Sequence, residues 1–159
     1  MDFLRCVCYY AMVGIASFFV GRLVSRHRFQ YDAVPFRPFP FEKEGRIYKK
    51  TGIARWQGKV PDMSRILKGL MPPKALAGRP DRETLLVMIQ ETCVAELVHW
   101  LLCLAGLASL WLWPGAGGLL CWLLYCLVGN LPFILIQRYN RPRLLKLLER
   151  QSRGEGEKK

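Results

Sequence analysis

The sequence predicts an all-α integral membrane protein: three transmembrane helices at about residues 3–24, 97–113 and 117–137, and a cytoplasmic segment of aromatic and basic residues at the interface. Two observations carry that prediction. Apolar residues make up 52% of the 159 and are gathered in blocks, so that Cys6 to Gly21 and Leu101 to Ile136 hold no charged side chain. Charge is gathered elsewhere, with 15 Lys and Arg against 8 Asp and Glu between Arg22 and Glu96. A soluble helix mixes the two kinds of residue on opposite faces, whereas a crossing helix needs about 20 mostly apolar residues in one run.

The first span, 3–24, reaches that length with Arg5 and Arg22 extended to the two interfaces. A cleaved signal peptide is the rival reading; no small-x-small cleavage site follows the apolar run, and Arg22 stands where one belongs. Residues 25–81 form the cytoplasmic interfacial region. Phe29, Tyr31, Phe36, Phe39, Phe41, Tyr48 and Trp56 interleave there with Arg37, Lys43, Arg46, Lys49, Lys50, Arg55 and Lys59. That composition suits rings at headgroup level and cations toward phosphates. Pro35, Pro38 and Pro40 rule out a continuous helix. A short helix is expected at Met63–Leu70, closed by Met71 and two prolines.

Asp81 is an N-cap for a long helix over 82–113 that enters the membrane as the second span, with Leu85, Leu86, Met88, Ile89, Cys93 and Leu97 on a helical period. The Trp-Pro-Gly-Ala-Gly-Gly run at 113–118 makes a tight hairpin, and 117–137 is the third span. Within that span Asn130 and Pro132 are unusual for a plain anchor. Residues 138–150 read as a basic amphipathic tail helix containing Pro142, with Leu144, Leu145, Leu147 and Leu148 on the membrane, and residues 151–159 as disordered.

Basic residues beside the spans tend to stay cytoplasmic. The central region and the tail from Arg138, with 8 Lys and Arg against 3 Asp and Glu, therefore lie on one side. This gives a multi-pass protein of the cell membrane, N-terminus outside, with the central region and C-terminus in the cytoplasm. The net charge of +12 fits anionic lipid headgroups, and no nucleic-acid module is present. The six cysteines lack the spacing of a zinc site or a disulfide framework, so no bound metal or cofactor is expected and they read as packing residues.

Chemistry-bearing residues concentrate at the cytoplasmic ends of the last two spans. Thr92, Glu96, His99 and Cys103 fall on one stripe of the second helix, and Asn130, Ile134, Gln137 and Arg141 on one stripe of the third. Folding the hairpin near residue 115 sets His99 level with Pro132, and Glu96 level with Leu135, close to Gln137 and Arg138. Ionisable groups at membrane depth are costly and by default mark function. Glu96 and His99, three residues apart, can touch: the carboxylate orients the imidazole, which takes a proton from a hydroxyl. The plainer alternative is an ion pair of Glu96 with Arg138 that locks the hairpin. A second histidine, in the H-x-x-x-x-D string from His27 to Asp32, has the spacing of glycerolipid acyltransferases without their large α/β domain.

Three strings, "FPFEKEGRIYKKTGIARWQGKVPD" (39–62), "AELVHW" (95–100) and "NLPFILIQRYNRPRL" (130–144), in this order and at these intervals, resemble the glycosyl-4,4′-diaponeurosporenoate acyltransferases of bacterial carotenoid synthesis. The resemblance runs from the first span to Leu148. It implies transfer of a fatty acyl chain to a sugar hydroxyl of a membrane-dissolved glycosylated carotenoid, the last step toward staphyloxanthin-type pigments. It also implies an acyl-CoA or acyl-carrier thioester as donor, and a glycosyl-carotenoid or other amphiphilic glycolipid as acceptor. Under that chemistry the expected roles are His99 as base, Glu96 as its partner, and Arg138, Asn140 and Arg141 as donors to the acyl carbonyl or a donor phosphate. Gln137 shares their pocket, Asn130 hydrogen-bonds across the hairpin, and Glu42, Lys49, Lys50 and Trp56 line the cytoplasmic mouth. A homodimer is compatible with three spans. The rivals are a non-enzymatic scaffold that docks a partner or anionic lipid, and a membrane enzyme of another class such as a methyltransferase.

Overall fold

The computed structural model describes residues 1–60 and 80–156; the expected helix Met63–Leu70, residues 157–159 and the side chains of His27 and 154–156 lie outside the described set. Among the described residues every regular element is helical. Three helical stretches are long and apolar enough to cross a membrane: Asp2–Leu23, Arg82–Leu112 and Ala116–Arg153. The chain divides into two compact units, one of Met1–Phe29 with Cys93–Gln137 and one of Gln30–Thr92 with Arg138–Lys159.

The first unit is apolar outside and keeps its few polar groups inside. Phe3, Leu4, Met12, Ile15, Phe19, Leu101, Leu104, Trp111, Leu120 and Val128 are exposed, while Glu96, Ser109 and Asn130 are buried. Water would reverse that arrangement; lipid favours it, because hydrocarbon takes the apolar surface and the polar groups must find partners within the protein. Aromatic and small residues fasten the helices. The Tyr10 and Tyr125 rings stack 4.0 Å apart, the Tyr9 hydroxyl donates to the Ala105 carbonyl at 2.9 Å, and the Trp122 indole donates to the Cys103 carbonyl at 2.9 Å. Gly106 admits the Tyr125 ring so closely that a Cβ there would stand 3.0 Å from it.

The hairpin follows from its residues. The helix Arg82–Ala105 passes through a 3-10 turn at Gly106–Ala108 and ends at Leu112, and the chain reverses with Gly115 at φ 93°. Ser109 closes the turn by donating to the carbonyls of Gly106 and Gly118. A Cβ on Gly118 would lie 2.2 Å from the Trp113 carbonyl oxygen and 2.5 Å from that of Ser109, so only glycine fits.

In the second unit the proline-rich stretch forms turns and 3-10 segments at Pro40–Glu42 and Arg46–Thr51, with a short helix at Ile53–Trp56. Asp81 caps the long helix as its sequence predicts, its carboxylate accepting the Thr84 N–H at 2.8 Å. Hydrogen bonding from the Thr84 side chain, and after it from this N–H, holds the Asp81 carboxyl below its ordinary pKa. Leu85 and Ile89 pack with Leu144 and Leu148, each pair one turn apart on its own helix, and Tyr31, Leu86, Met88 and Leu145 close over them.

Two expectations are corrected here. The tail is no separate helix: a single helix runs Leu131–Gly156, joining the third span to the basic segment and including Gln151–Gly156, which the sequence marked as disordered. The apolar character ends at Gln137 but the helix does not, because Arg138, Tyr139, Asn140 and Arg141 carry no turn signal. Pro142 is accommodated inside it. Lacking an N–H, Pro142 leaves the Arg138 carbonyl without its usual helical donor, and Gly45, at φ 82°, is the residue packed against the Arg138 and Tyr139 carbonyls.

Candidate active site

Within the first unit the polar centre is built on a distorted turn. Tyr125–Asn130 is π-helical and runs straight into the helix that begins at Leu131. The distortion has a cause in Pro132, which cannot donate to the preceding turn, so the backbone widens just before it. At this turn the Tyr125 carbonyl accepts from the Asn130 side-chain amide at 2.9 Å. That bond fixes which way the amide points. A carbonyl can only accept, so the nitrogen of Asn130 faces Tyr125 and its oxygen faces inward.

Asn130 Oδ1 lies 2.9 Å from Nδ1 of His99. Since the oxygen cannot donate, Nδ1 carries the hydrogen, and Nε2 is the basic nitrogen of the neutral ring. Phe133 holds the same imidazole from its face, the rings nearly parallel with centroids 4.6 Å apart. The pairing of His99 with residues 130 and 133 agrees with the hairpin register that set His99 level with Pro132. Glu96, one turn earlier on the helix of His99, is 1% exposed. Gln137 is half-buried and stands one turn beyond Phe133 on the same helix face.

Within the second unit the arginines have protein partners that the sequence did not reveal. Glu42, 2% exposed, is a hub: its carboxylate accepts from Arg138 Nε at 2.5 Å, from the Phe39 N–H at 2.8 Å and from the Tyr48 hydroxyl. Arg138 also donates to the Pro35 carbonyl at 3.1 Å and lies over the Phe39 ring. Burial and the neighbouring Glu42 carboxylate push the Tyr48 hydroxyl up to about 12. Arg141, 1% exposed, donates to the Thr92 hydroxyl at 2.7 Å, the Thr92 carbonyl at 3.0 Å and the Phe36 carbonyl at 2.6 Å. Asn140 donates to Gln57 at 3.2 Å, and Trp56 donates to the Thr51 carbonyl at 3.1 Å. Lys49 and Lys50 are exposed. Sequence reasoning put Glu42 at the mouth of the site and missed it as the partner of Arg138, 96 positions away in the chain. Its one visible signal was an acidic residue set among basics and aromatics. Among the described residues no group of three His, Cys, Asp or Glu could hold a metal ion.

Comparison with known proteins bears on what these centres do. Residues 31–150 match the family model described as glycosyl-4,4′-diaponeurosporenoate acyltransferase. The chain belongs to this family. A Staphylococcus aureus (strain N315) protein named glycosyl-4,4′-diaponeurosporenoate acyltransferase is 29% identical over 146 residues, which cover 90% of this chain and 86% of the relative. Proteins of the same name from S. aureus strains bovine RF122 / ET3-1 and USA300 match with the same identity and coverage. No solved structure matches the chain. Membership in the glycosyl-4,4′-diaponeurosporenoate acyltransferase family makes acyl transfer the reaction class, and three long apolar helices make the chain a membrane protein.

Proposed function

We propose that the chain transfers a fatty acyl group from an acyl thioester, of CoA or a carrier protein, to a sugar hydroxyl of a glycosylated carotenoid or similar glycolipid. His99 is the base. Its Nε2 takes the proton as the sugar oxygen attacks the thioester carbonyl, and the tetrahedral intermediate then collapses with loss of the thiolate. The thiolate recovers the proton from the imidazolium, so the products are the ester and the free thiol. Asn130 is the positioning residue that holds the ring in the tautomer this cycle needs. Glu96 balances the imidazolium charge at a depth where an isolated cation is costly. The Gln137 amide is assigned to the developing oxyanion.

Arg138 and Arg141, with their acceptors on Glu42, Thr92 and backbone carbonyls, hold residues 35–57 in place, and Asn140 does the same through Gln57. Glu42 and Trp56 belong to that support, while Lys49 and Lys50 are free to meet the donor. In the orientation we propose, the N-terminus is outside and the basic central and C-terminal regions face the cytoplasm, where thioester donors are made. The observation that carries the reading is the His99 imidazole fixed by Asn130 at the proline-induced turn.

The test is incubation of the purified protein, in detergent, with an acyl thioester and a glycosylated carotenoid, followed by mass spectrometry of the lipids. An acyl ester of the sugar is expected. Thioester hydrolysis without ester formation, or no acyl product from any glycosylated acceptor, contradicts the proposal.

A further inference from the structure

A groove of about 490 Å³ opens on the second unit, lined by Phe41, Lys43, Arg46, Ile47 and Lys50. Its volume falls in the range of small-molecule sites. Three cations converge on it. The two carboxylates nearest in sequence are engaged elsewhere, Glu42 by Arg138 and Tyr48, and Glu44 by Lys146. Among the described residues no ion pair involves Lys43, Arg46 or Lys50. The groove therefore carries net positive charge, offset only in part by Glu44, whose carboxylate also feels Arg46, beside two exposed apolar side chains, Phe41 and Ile47.

The backbone that presents these cations is held in an unusual shape. Lys43, Glu44 and Gly45 follow one another in the left-handed region, at φ 48°, 57° and 82°. For Lys and Glu that conformation is costly and persists only where the surroundings enforce it. Here they do: the buried Glu42 fixes the chain on one side, and Gly45 against the Arg138 and Tyr139 carbonyls fixes it on the other. A strained turn clamped at both ends, with its cations aimed at one concavity, is preorganised for an anion.

We propose that this groove seats the phosphates of the acyl donor, with CoA as the ligand. This inference rests on the reading of the chain as a thioester-dependent acyltransferase. The adenosine phosphate and diphosphate groups of CoA meet Lys43, Arg46 and Lys50, for which clustered basic donors are the matching chemistry. The adenine or pantetheine portion lies on Phe41 and Ile47. A concavity on a preorganised backbone favours a discrete phosphorylated ligand over a bilayer surface, which needs neither.

The experiment measures CoA binding by the full chain in an uncharged detergent, for wild type, the Lys43→Gln/Arg46→Gln/Lys50→Gln variant, and Lys59→Gln as an exposed lysine outside the groove. Saturable binding to wild type and Lys59→Gln, weakened at least tenfold in the triple variant, is expected. No CoA binding, equal affinity in the triple variant, or complete displacement of CoA by phosphatidylglycerol nanodiscs overturns the proposal. A turnover arm compares acyl-CoA with an acyl N-acetylcysteamine thioester, which has no phosphate. The triple variant is expected to raise KM for acyl-CoA alone. Normal acyl-CoA kinetics in the triple variant sinks the groove and leaves the acyltransferase reading standing. Groove-dependent CoA binding without any acyl transfer does the reverse.

Discussion

Asn130 fixes the tautomer of His99. Its amide nitrogen is committed to the Tyr125 carbonyl, so its oxygen faces Nδ1 of the imidazole at 2.9 Å and Nε2 becomes the basic nitrogen. Asn130→Leu keeps the side-chain volume and removes both bonds. We expect kcat to fall by about a hundredfold, the low end of what a positioned general base contributes, with KM for the thioester little changed. Unchanged kcat would remove Asn130 from the mechanism.

Glu42 and Arg138 form an ion pair with side-chain exposures of 2% and 9%. Losing one member of such a pair costs about 3–5 kcal/mol, because the other is left charged and buried, while replacing both costs much less. Glu42→Gln should therefore destabilise the protein more than Glu42→Gln combined with Arg138→Met. Chemical denaturation in detergent measures both. Additive losses would mean the two residues are not coupled.

Tyr48 gives the fold an alkaline limit. Burial and Glu42 raise its hydroxyl from 10.0 to about 12, so the folded state holds this proton more tightly than the unfolded chain does. That contribution is complete below pH 10 and is lost as pH rises from 10 toward 12. Wild type should lose stability across this window more steeply than Tyr48→Phe, read as the denaturation midpoint against pH. Parallel curves would contradict the assignment.

Gly118 and Gly14 make a contrasting pair. A Cβ at 118 meets two backbone oxygens at 2.2 and 2.5 Å, which cannot move aside without opening the hairpin; a Cβ at 14 meets nothing within 4 Å. Gly118→Ala should lower the melting temperature in detergent sharply. Gly14→Ala should leave it unchanged or raise it slightly, since alanine is the better helix former by about 1 kcal/mol.

The parts of the fold that depend on local chemistry were legible in the sequence. Charge-free blocks located the spans, Asp81 announced a helix start, and the Trp-Pro-Gly cluster located the hairpin whose register pairs His99 with Asn130 and Phe133. What was not legible depends on contacts across long stretches of chain. Glu42 finds Arg138, and Phe36 and Thr92 find Arg141, from segments with no shared periodicity. The continuity of the third span with the basic tail helix was likewise hidden. The change from apolar to basic residues at Gln137 reads as the end of one element, but backbone helical bonds do not depend on side-chain polarity and the helix carries on through it.

The account turns on His99 as the base, and the most direct measurement is the initial rate of acyl transfer from thioester to glycosylated carotenoid by His99→Gln beside wild type, with helicity and melting temperature recorded for both. Glutamine retains hydrogen-bonding capacity but cannot accept the hydroxyl proton at neutral pH. A rate lower by about a hundredfold or more, with folding intact, is the predicted result; a His99→Gln protein that turns over at the wild-type rate contradicts it.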